Sequence, residues 1–221
     1  MVNKKTEAMA YYPAFLNVKG KKCVVVGGGN VALRKVKILL SCGANITVVS
    51  PDIHPELIKL AERNAIRVFS RPYEPGDLKD AVIVIAATDG KQINRKVVHE
   101  GKEEGALVNV ADDPGVSDFI TPSFFRRGDL IIAISTGGRS PALARTIKTR
   151  LEQNFGKEYA SLLSLIGEVR SRQKQKGIVV SPEAWQEALD LDLLTGLVRA
   201  GRQKEAKAVL MGKLEAQREG K

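Results

Sequence analysis

The sequence has few of the residues that build metal or nucleic-acid sites. It contains two cysteines and two histidines in 221 residues. His54 and His99 are too far from Cys23 and Cys42 along the chain to predict a zinc site, and both cysteines are expected to be small buried side chains. Aromatic residues make up 5% of the chain, with no basic-aromatic repeat. We therefore predict no metal site and no zinc-finger type of nucleic-acid module.

Long hydrophobic runs are also absent. The longest uninterrupted apolar run is seven residues, Ala81–Ala87, whereas a membrane-spanning helix needs about 18–20. The first residues, Met1–Lys5, lack the apolar stretch of a signal peptide. With 43% hydrophobic and 27% charged residues, the composition is typical of a soluble chain that buries a core. We predict a cytoplasmic protein that does not enter the membrane.

Charge is the unusual part of the composition. Lys and Arg number 35 against 25 Asp and Glu, which gives a formal net charge of +10. Such a surplus predicts attraction to an anionic partner. Nucleic acid and a polyanionic small substrate are the two candidates, and the motifs must decide between them.

The first half of the chain alternates between strand and helix patterns. Strands are predicted at 22–26, 45–49, 65–69, 81–87 and 106–110, with helices from 30 to 43, from 55 to 64, and from a Thr88-Asp89 cap to about 104. In the first helix, Ala32, Val36 and Leu39 share an apolar face, and Arg34, Lys35 and Lys37 are predicted to lie on other faces. This alternation indicates a Rossmann-like α/β fold with a parallel sheet.

The second half has a different pattern. Residues from Phe119 to Ser135 indicate a β-hairpin, which is marginal alone in water and is expected to pack against another copy of the chain. A helix is predicted to start at Ser140-Pro141. From there the chain is predicted to be helical to its end, with breaks near Gly156, Gly177–Pro182 and Gly201.

A glycine turn joins the first strand to the first helix. Gly27, Gly29 and Ala32 match the pattern G-x-G-x-x-G/A. In this pattern the first glycine allows a tight turn, the second lets the backbone approach a pyrophosphate, and the third small residue allows close packing of helix and strand. Ser50 stands where an acid for the adenosine ribose is expected, with Asp52 one turn later, and no arginine is there to meet a 2′-phosphate. The pattern favours NAD over NADP.

Two later segments carry further candidate residues. Asp112 and Asp113 follow a strand at the carboxyl edge of the predicted sheet, where a carboxylate could accept a proton as hydride leaves a substrate. The alternative is that both are solvated turn residues before Pro114. Ser135–Pro141 resembles an anion site ahead of a capped helix, in which Arg139 can bind a carboxylate. An ordinary capping loop is the alternative.

Together and in order, these segments resemble the precorrin-2 dehydrogenase/sirohydrochlorin ferrochelatase family, of the siroheme-synthase N-terminal type. The resemblance covers residues 11 to 151 well and the rest loosely. It is carried by Tyr12-Pro13 with Phe15-Leu16, Val24–Ala32 with Arg34-Lys35, Ala86–Asp89, Asn109-Val110 with Asp112, Phe119-Ile120 with Pro122-Ser123, and Ser135–Gly138 with Ser140–Arg145.

The resemblance implies a homodimer with an NAD-binding Rossmann domain at residues 1–115, a dimerisation region at 116–152 and a helical domain at 153–221. It also implies oxidation of precorrin-2 to sirohydrochlorin with hydride transfer to NAD. Some members of the family then insert iron(II), so chelation is a further activity that the resemblance leaves open.

Site residues follow from the same resemblance. The catalytic aspartate falls on Asp112, although Asp113 beside it leaves open which carboxylate acts. The implied NAD contacts are Asn30, Val31, Pro51, Asp52, Ala87 and Thr88. The implied lining of the substrate side is Thr136, Gly137 and Gly138.

Two other classes of function remain as alternatives. A regulatory module that binds NAD without catalysis explains the glycine turn but not the later segments. Nucleic-acid binding explains only the charge, and the acetate and propionate arms of precorrin-2 explain the charge as well. The basic stretch Arg170–Lys176 is predicted to be a solvated helix face.

Overall fold

The computed structural model describes residues 11–219 and divides into two compact units, one ending at Thr121 and the other beginning at Pro122. The segment Met1–Lys5, on which the signal-peptide prediction rests, and the outer ends of the predicted domains at residues 1 and 221 lie outside the described residues. The boundaries at 115 and 152 and the dimerisation role of 116–152 stay predictions.

The first unit is built on a five-stranded parallel sheet, which confirms the Rossmann-like prediction. Its elements are β1 (Lys22–Val26), α1 (Asn30–Ser41), β2 (Asn45–Val49), α2 (Pro55–Glu62), β3 (Arg67–Phe69), β4 (Ile83–Ala86), α3 (Lys91–Glu103) and β5 (Leu107–Val110). The strand order is β3-β2-β1-β4-β5. The direction of winding therefore reverses between β1 and β4, which is where open α/β sheets bind their ligands.

Apolar clusters cover both faces of this sheet. Cys23, Val25 and Ile85 belong to the cluster on the α1 and α2 face, while Val24 and Val84 belong to the one on the α3 face. A strand that is buried on both faces has a continuous apolar sequence, and these strands have such sequences. The prediction of a small buried side chain is confirmed for Cys23, which is fully buried, and burial raises the pKa of its thiol to about 11. Cys42, at the end of α1, is only partly buried.

Two local predictions in this unit are wrong. Lys35 does not lie on an outer face of α1: it is only 8% exposed, because its ammonium reaches polar partners on Asn109 and Thr121. Thr88 and Asp89 do not cap α3, which begins at Lys91 after Gly90. The Thr88 hydroxyl instead accepts the Gly90 N–H at 3.2 Å, which orders the turn ahead of the helix.

Side chains, and not another strand, cover the open edge of β5. After a 3-10 turn at Pro114–Val116, the chain returns along that edge. Asp118 Oδ2 accepts the Val108 N–H and Ser117 Oγ accepts the Val110 N–H, both at 2.9 Å, while the Asp118 N–H donates to the Val108 carbonyl at 2.8 Å. The return segment thereby satisfies backbone groups that an edge strand would otherwise leave unpaired.

The second unit combines a hairpin with five helices. Its elements are β6 (Ser123–Arg127), β7 (Leu130–Ile134), α4 (Pro141–Asn154), α5 (Glu158–Gln175), α6 (Pro182–Ala188), α7 (Leu191–Arg199) and α8 (Gln203–Glu219). The strands pair antiparallel, and the hairpin packs on α4 and α5 of its own unit. Phe119 and Ile120, predicted to join the hairpin, precede β6.

The helices α5 to α8 share a core of their own, which includes Leu162, Val169, Leu194 and Leu210. The predicted breaks near Gly156, Gly177–Pro182 and Gly201 are confirmed, and one more separates α6 from α7, where the Asp190 carboxylate caps α7 through the Leu193 N–H. Arg170, Arg172, Lys174 and Lys176 are exposed, as predicted for a solvated face. None of the described helices is long and apolar enough to cross a membrane.

We expect Asp118→Ala to lower the free energy of unfolding by about 1–3 kcal/mol, because it leaves the buried Val108 N–H without its acceptor. Urea denaturation followed by circular dichroism measures the change. Asp118→Asn is the matched control, since its amide oxygen can still accept. Equal losses in the two variants would show that this bond does not stabilise the edge.

Candidate functional site

The register of the sheet gathers the predicted cofactor residues at one edge. Val26 at the end of β1 is paired with Val49 of β2 and with Ala86 of β4. Beyond these pairs the Gly27 N–H donates to the Val49 carbonyl at 2.9 Å and the Ala87 N–H donates to the Val26 carbonyl at 2.7 Å. The glycine turn, the loop after β2 and the turn after β4 therefore start side by side.

Each glycine of the turn has a separate reason for lacking a side chain. Gly27 has a φ of +120°, and a Cβ there would lie 2.2 Å from the Ala87 carbonyl oxygen. A Cβ on Gly28 would lie 2.0 Å from the carbonyl oxygen of Asp52. Around Gly29, by contrast, no described atom lies within 4 Å of the position of a Cβ. Two glycines let backbones pack together, and the third leaves space in front of α1.

That open space fits a pyrophosphate. Gly29 is the N-cap residue of α1 and provides no side-chain cap, so the first N–H groups of the helix, beginning at Asn30 and Val31, are available to an anion. Gly29 and Asn30 are exposed while Gly27 and Gly28 are buried. The arrangement can hold a dinucleotide phosphate against the helix N-terminus.

The loop after β2 is held directly against the glycine turn. The His54 N–H donates to the Gly28 carbonyl at 2.8 Å, and Pro51 and Asp52 are exposed. Gly28 was not among the predicted site residues, because the G-x-G pattern leaves its middle position free. A third glycine in that position is the signal that could have shown this close approach.

The turn after β4 is fixed by a side chain that sequence reasoning also missed. Asn94 Nδ2 donates to the Thr88 carbonyl at 2.9 Å, and the Thr88 hydroxyl donates to Asn94 Oδ1 at 2.7 Å. Ala87 and Thr88 are half-buried and Asp89 is exposed. Asn94 thereby holds Ala87 and Thr88 beside Gly27 from the first turns of α3.

The two adjacent aspartates after β5 have different surroundings. The Asp113 carboxylate caps the 3-10 turn by accepting the Gly115 N–H at 3.1 Å, and its carbonyl accepts the Ser117 hydroxyl at 2.7 Å. The Asp112 side chain is exposed and accepts no hydrogen bond from any described residue. The Ala111 N–H donates to the Ala86 carbonyl at 2.9 Å. Asp112 therefore lies just beyond the same end of the sheet as Ala87.

In the second unit, the loop 135–140 is ordered mainly by its own atoms. Thr136 Oγ1 accepts the Ser140 N–H at 3.1 Å, and Gly137 and Gly138 have φ values of +61° and +81°. Ser140 caps α4 by accepting the Leu143 N–H at 3.2 Å, which confirms the predicted helix start. Because Pro141 has no N–H, few donors of this helix end are left for an anion.

Gly137, Gly138 and Arg139 are exposed and Thr136 is half-buried. Their contact with a substrate stays a prediction. Within residues 11–219, no group of three His, Cys, Asp or Glu side chains is placed to hold a metal ion.

Comparisons with known proteins agree with this geometry. A family model described as "Putative NAD(P)-binding" matches residues 14–123, and one described as "Sirohaem biosynthesis protein central" matches residues 127–154. A siroheme synthase from Nitrosococcus oceani is 40% identical over 94% of this chain and 44% of its own length. One from Methylobacillus flagellatus is 42% identical over 76% of this chain and 36% of its own length.

A solved structure titled "SirC, precorrin-2 dehydrogenase" matches with a TM-score of 0.70 and 29% identity, covering 93% of this chain and 100% of that one. The chain is thus similar over most of its length to siroheme synthases and to a precorrin-2 dehydrogenase structure, and it matches an NAD(P)-binding and a sirohaem-biosynthesis family model. It spans less than half the length of the two siroheme synthases. Because the first family model covers both the glycine turn and Asp112, the first unit is a nicotinamide-dinucleotide-binding domain.

The glycine turn gives a matched pair of substitutions. We expect Gly29→Ala to keep the melting temperature but to weaken NAD binding by about tenfold or more, since its methyl group enters the open space in front of α1. Gly28→Ala should lower the melting temperature, because its methyl group meets the Asp52 backbone. Calorimetric titration and thermal unfolding measure the two effects. Unchanged NAD affinity in Gly29→Ala would place the pyrophosphate elsewhere.

Proposed function

We propose that the chain is an NAD-dependent precorrin-2 dehydrogenase that forms sirohydrochlorin, with Asp112 as general base. The observation that carries the proposal is an exposed carboxylate without a hydrogen-bond donor at the same sheet edge as the glycine turn. The two family-model matches and the likeness to a precorrin-2 dehydrogenase structure support it.

The chemistry divides between the cofactor and the chain. Oxidation removes a hydride and a proton from precorrin-2, and a bound nicotinamide would supply the hydride acceptor. The α1 N-terminus and the backbone at Gly29 would hold the pyrophosphate, and Asn30, Val31, Ala87 and Thr88 would contact the dinucleotide. The Asp112 carboxylate accepts the proton that the substrate loses together with the hydride.

Asp112 is assigned over Asp113 because their hydrogen bonds differ. A general base must present a free oxygen to the proton that it removes. One oxygen of the Asp113 carboxylate, Oδ1, accepts the Gly115 N–H, so Asp113 has a structural role in the turn. Asp112 has no such structural bond within the described residues, so it is free to act on a substrate.

Asp52 supports NAD as the form of cofactor that is used. Its exposed carboxylate lies in the loop that packs on Gly28, where an acid can accept hydrogen bonds from the adenosine ribose. A 2′-phosphate would meet the negative charge of Asp52. We therefore propose NAD over NADP, with Pro51 shaping the same loop.

Precorrin-2 also fits the charge of the chain. Its carboxylate arms make it a polyanion, and a net charge of +10 attracts such a molecule over a distance. We propose that Thr136, Gly137, Gly138 and Arg139 contact it, with Arg139 binding a carboxylate.

Homodimer formation, iron(II) insertion and a cytoplasmic location stay predictions. Insertion is tested by adding iron(II) to the finished reaction under anaerobic conditions and following the absorbance of the tetrapyrrole.

We expect Asp112→Ala to lower kcat with precorrin-2 by about 10²- to 10⁴-fold, the range that general-base catalysis contributes. The dissociation constant of NAD should stay within about twofold of the original. NADH absorbance under anaerobic conditions measures turnover, and calorimetric titration measures binding.

Asp113→Asn is the matched control, because its amide oxygen can still cap the 3-10 turn, and it should retain most of kcat. The reverse pattern would assign the base to Asp113. A wild-type chain that binds NAD but forms no NADH with precorrin-2 would instead indicate a regulatory module.

A further inference from the structure

Lys35 is a buried cation near the proposed site. The proposed mechanism gives it no role. It projects from α1 toward the sheet and is 8% exposed. Its Nζ donates to Asn109 Oδ1 at 3.1 Å and to Thr121 Oγ1 at 2.8 Å. Asn109 in turn donates through Nδ2 to the Phe119 carbonyl at 2.9 Å.

These three hydrogen bonds join the two ends of one loop. Asn109 lies in β5, just before the loop that carries Asp112, and Phe119 and Thr121 lie just after it. The loop itself is fixed along its length by the bonds of Ser117 and Asp118 to β5. Lys35 thus ties α1, which starts at the proposed pyrophosphate site, to both ends of the segment that positions the proposed base.

Lys35 is held by neutral partners and forms no ion pair with a described residue. Burial and the neighbouring Arg34 lower the pKa of Lys35, and only the Asp112 carboxylate acts in the opposite direction. A buried cation without an ion pair is costly, so its retention beside a proposed base points to function.

We propose that Lys35 is a positioning residue for proton transfer: its ammonium joins the two ends of the Asp112 loop and places a positive charge there. This inference rests on the proposed function. It adds that the charged form of Lys35 is required for turnover, although Lys35 itself touches neither substrate nor cofactor.

The full chain and its Lys35→Met and Lys35→Arg variants test this inference, with Lys37→Met as the matched control. Lys37 is an exposed lysine of the same helix, paired with Glu56. Lys35→Met should lower kcat by about 10- to 100-fold, because displacement of a reacting group by about 1 Å has effects of this size. Its NAD dissociation constant should stay within about twofold, and Lys37→Met should behave like wild type.

The pH profile separates a required charge from simple packing. Charge on Lys35 is present at low pH and is lost as the pH rises through its lowered pKa. Wild-type kcat should therefore fall on the alkaline side, and this fall should move to higher pH in Lys35→Arg, which keeps its charge. An alkaline limb that is identical in wild type and Lys35→Arg would overturn the requirement for charge, and a kcat for Lys35→Met within twofold of wild type would overturn the whole inference.

Amide hydrogen exchange tests the connection between the two loop ends independently of turnover. Peptides spanning 110–118 should exchange faster in Lys35→Met than in wild type, while peptides of α3 should be unchanged. If wild type fails to oxidise precorrin-2, the proposed function fails and exchange alone tests this connection. If Lys35→Met fails to fold, the alkaline limb of Lys35→Arg decides the role of the charge. Unaltered exchange in a folded Lys35→Met would contradict the connection between the loop ends.

Discussion

The close approach of three backbone segments at the end of β1 is the constraint on which the rest of the site depends. Gly27 packs on the Ala87 carbonyl and Gly28 on that of Asp52, both nearer than any side chain would permit. The parallel register of β1 with β2 and β4 sets this approach. The available helix N-terminus, the loop after β2 and the turn after β4 are all consequences of one packing arrangement at the switch point.

The way in which the outer edge of β5 is covered explains why two adjacent aspartates have different hydrogen bonds. Since no further described strand pairs with β5, its outer N–H groups need other acceptors, and Ser117 and Asp118 provide them. To reach that position the chain must turn sharply after β5, and Asp113 caps this turn. The same turn leaves Asp112 exposed at the edge. The way in which the edge of the sheet is covered thereby leaves the proposed general base exposed, and Lys35 binds a residue on each side of the loop that carries it.

Periodicity, together with capping residues, was enough to predict the strands, the parallel α/β architecture and the start of α4, because these depend on local patterns. It failed for Lys35, since helical spacing shows which residues share a face but not that Asn109 and Thr121, distant in sequence, supply polar partners there. Asn94 was missed because it acts through a contact with the turn after β4, which apolar periodicity does not reveal. Gly28 is different, since the third glycine of the turn was a signal in the sequence itself.

The two units also separate the proposed chemistry from the proposed choice of substrate. The glycine turn, Asp52, Thr88, Lys35 and Asp112 all belong to the first unit, and each is held by contacts within it. The loop 135–140 is ordered by its own hydrogen bonds and by the left-handed backbone of Gly137 and Gly138. Because that order does not depend on the dinucleotide site, we expect substitutions at Arg139 to affect the binding of an acidic substrate more than hydride and proton transfer. In the proposed function, the positive charge of the chain serves substrate attraction.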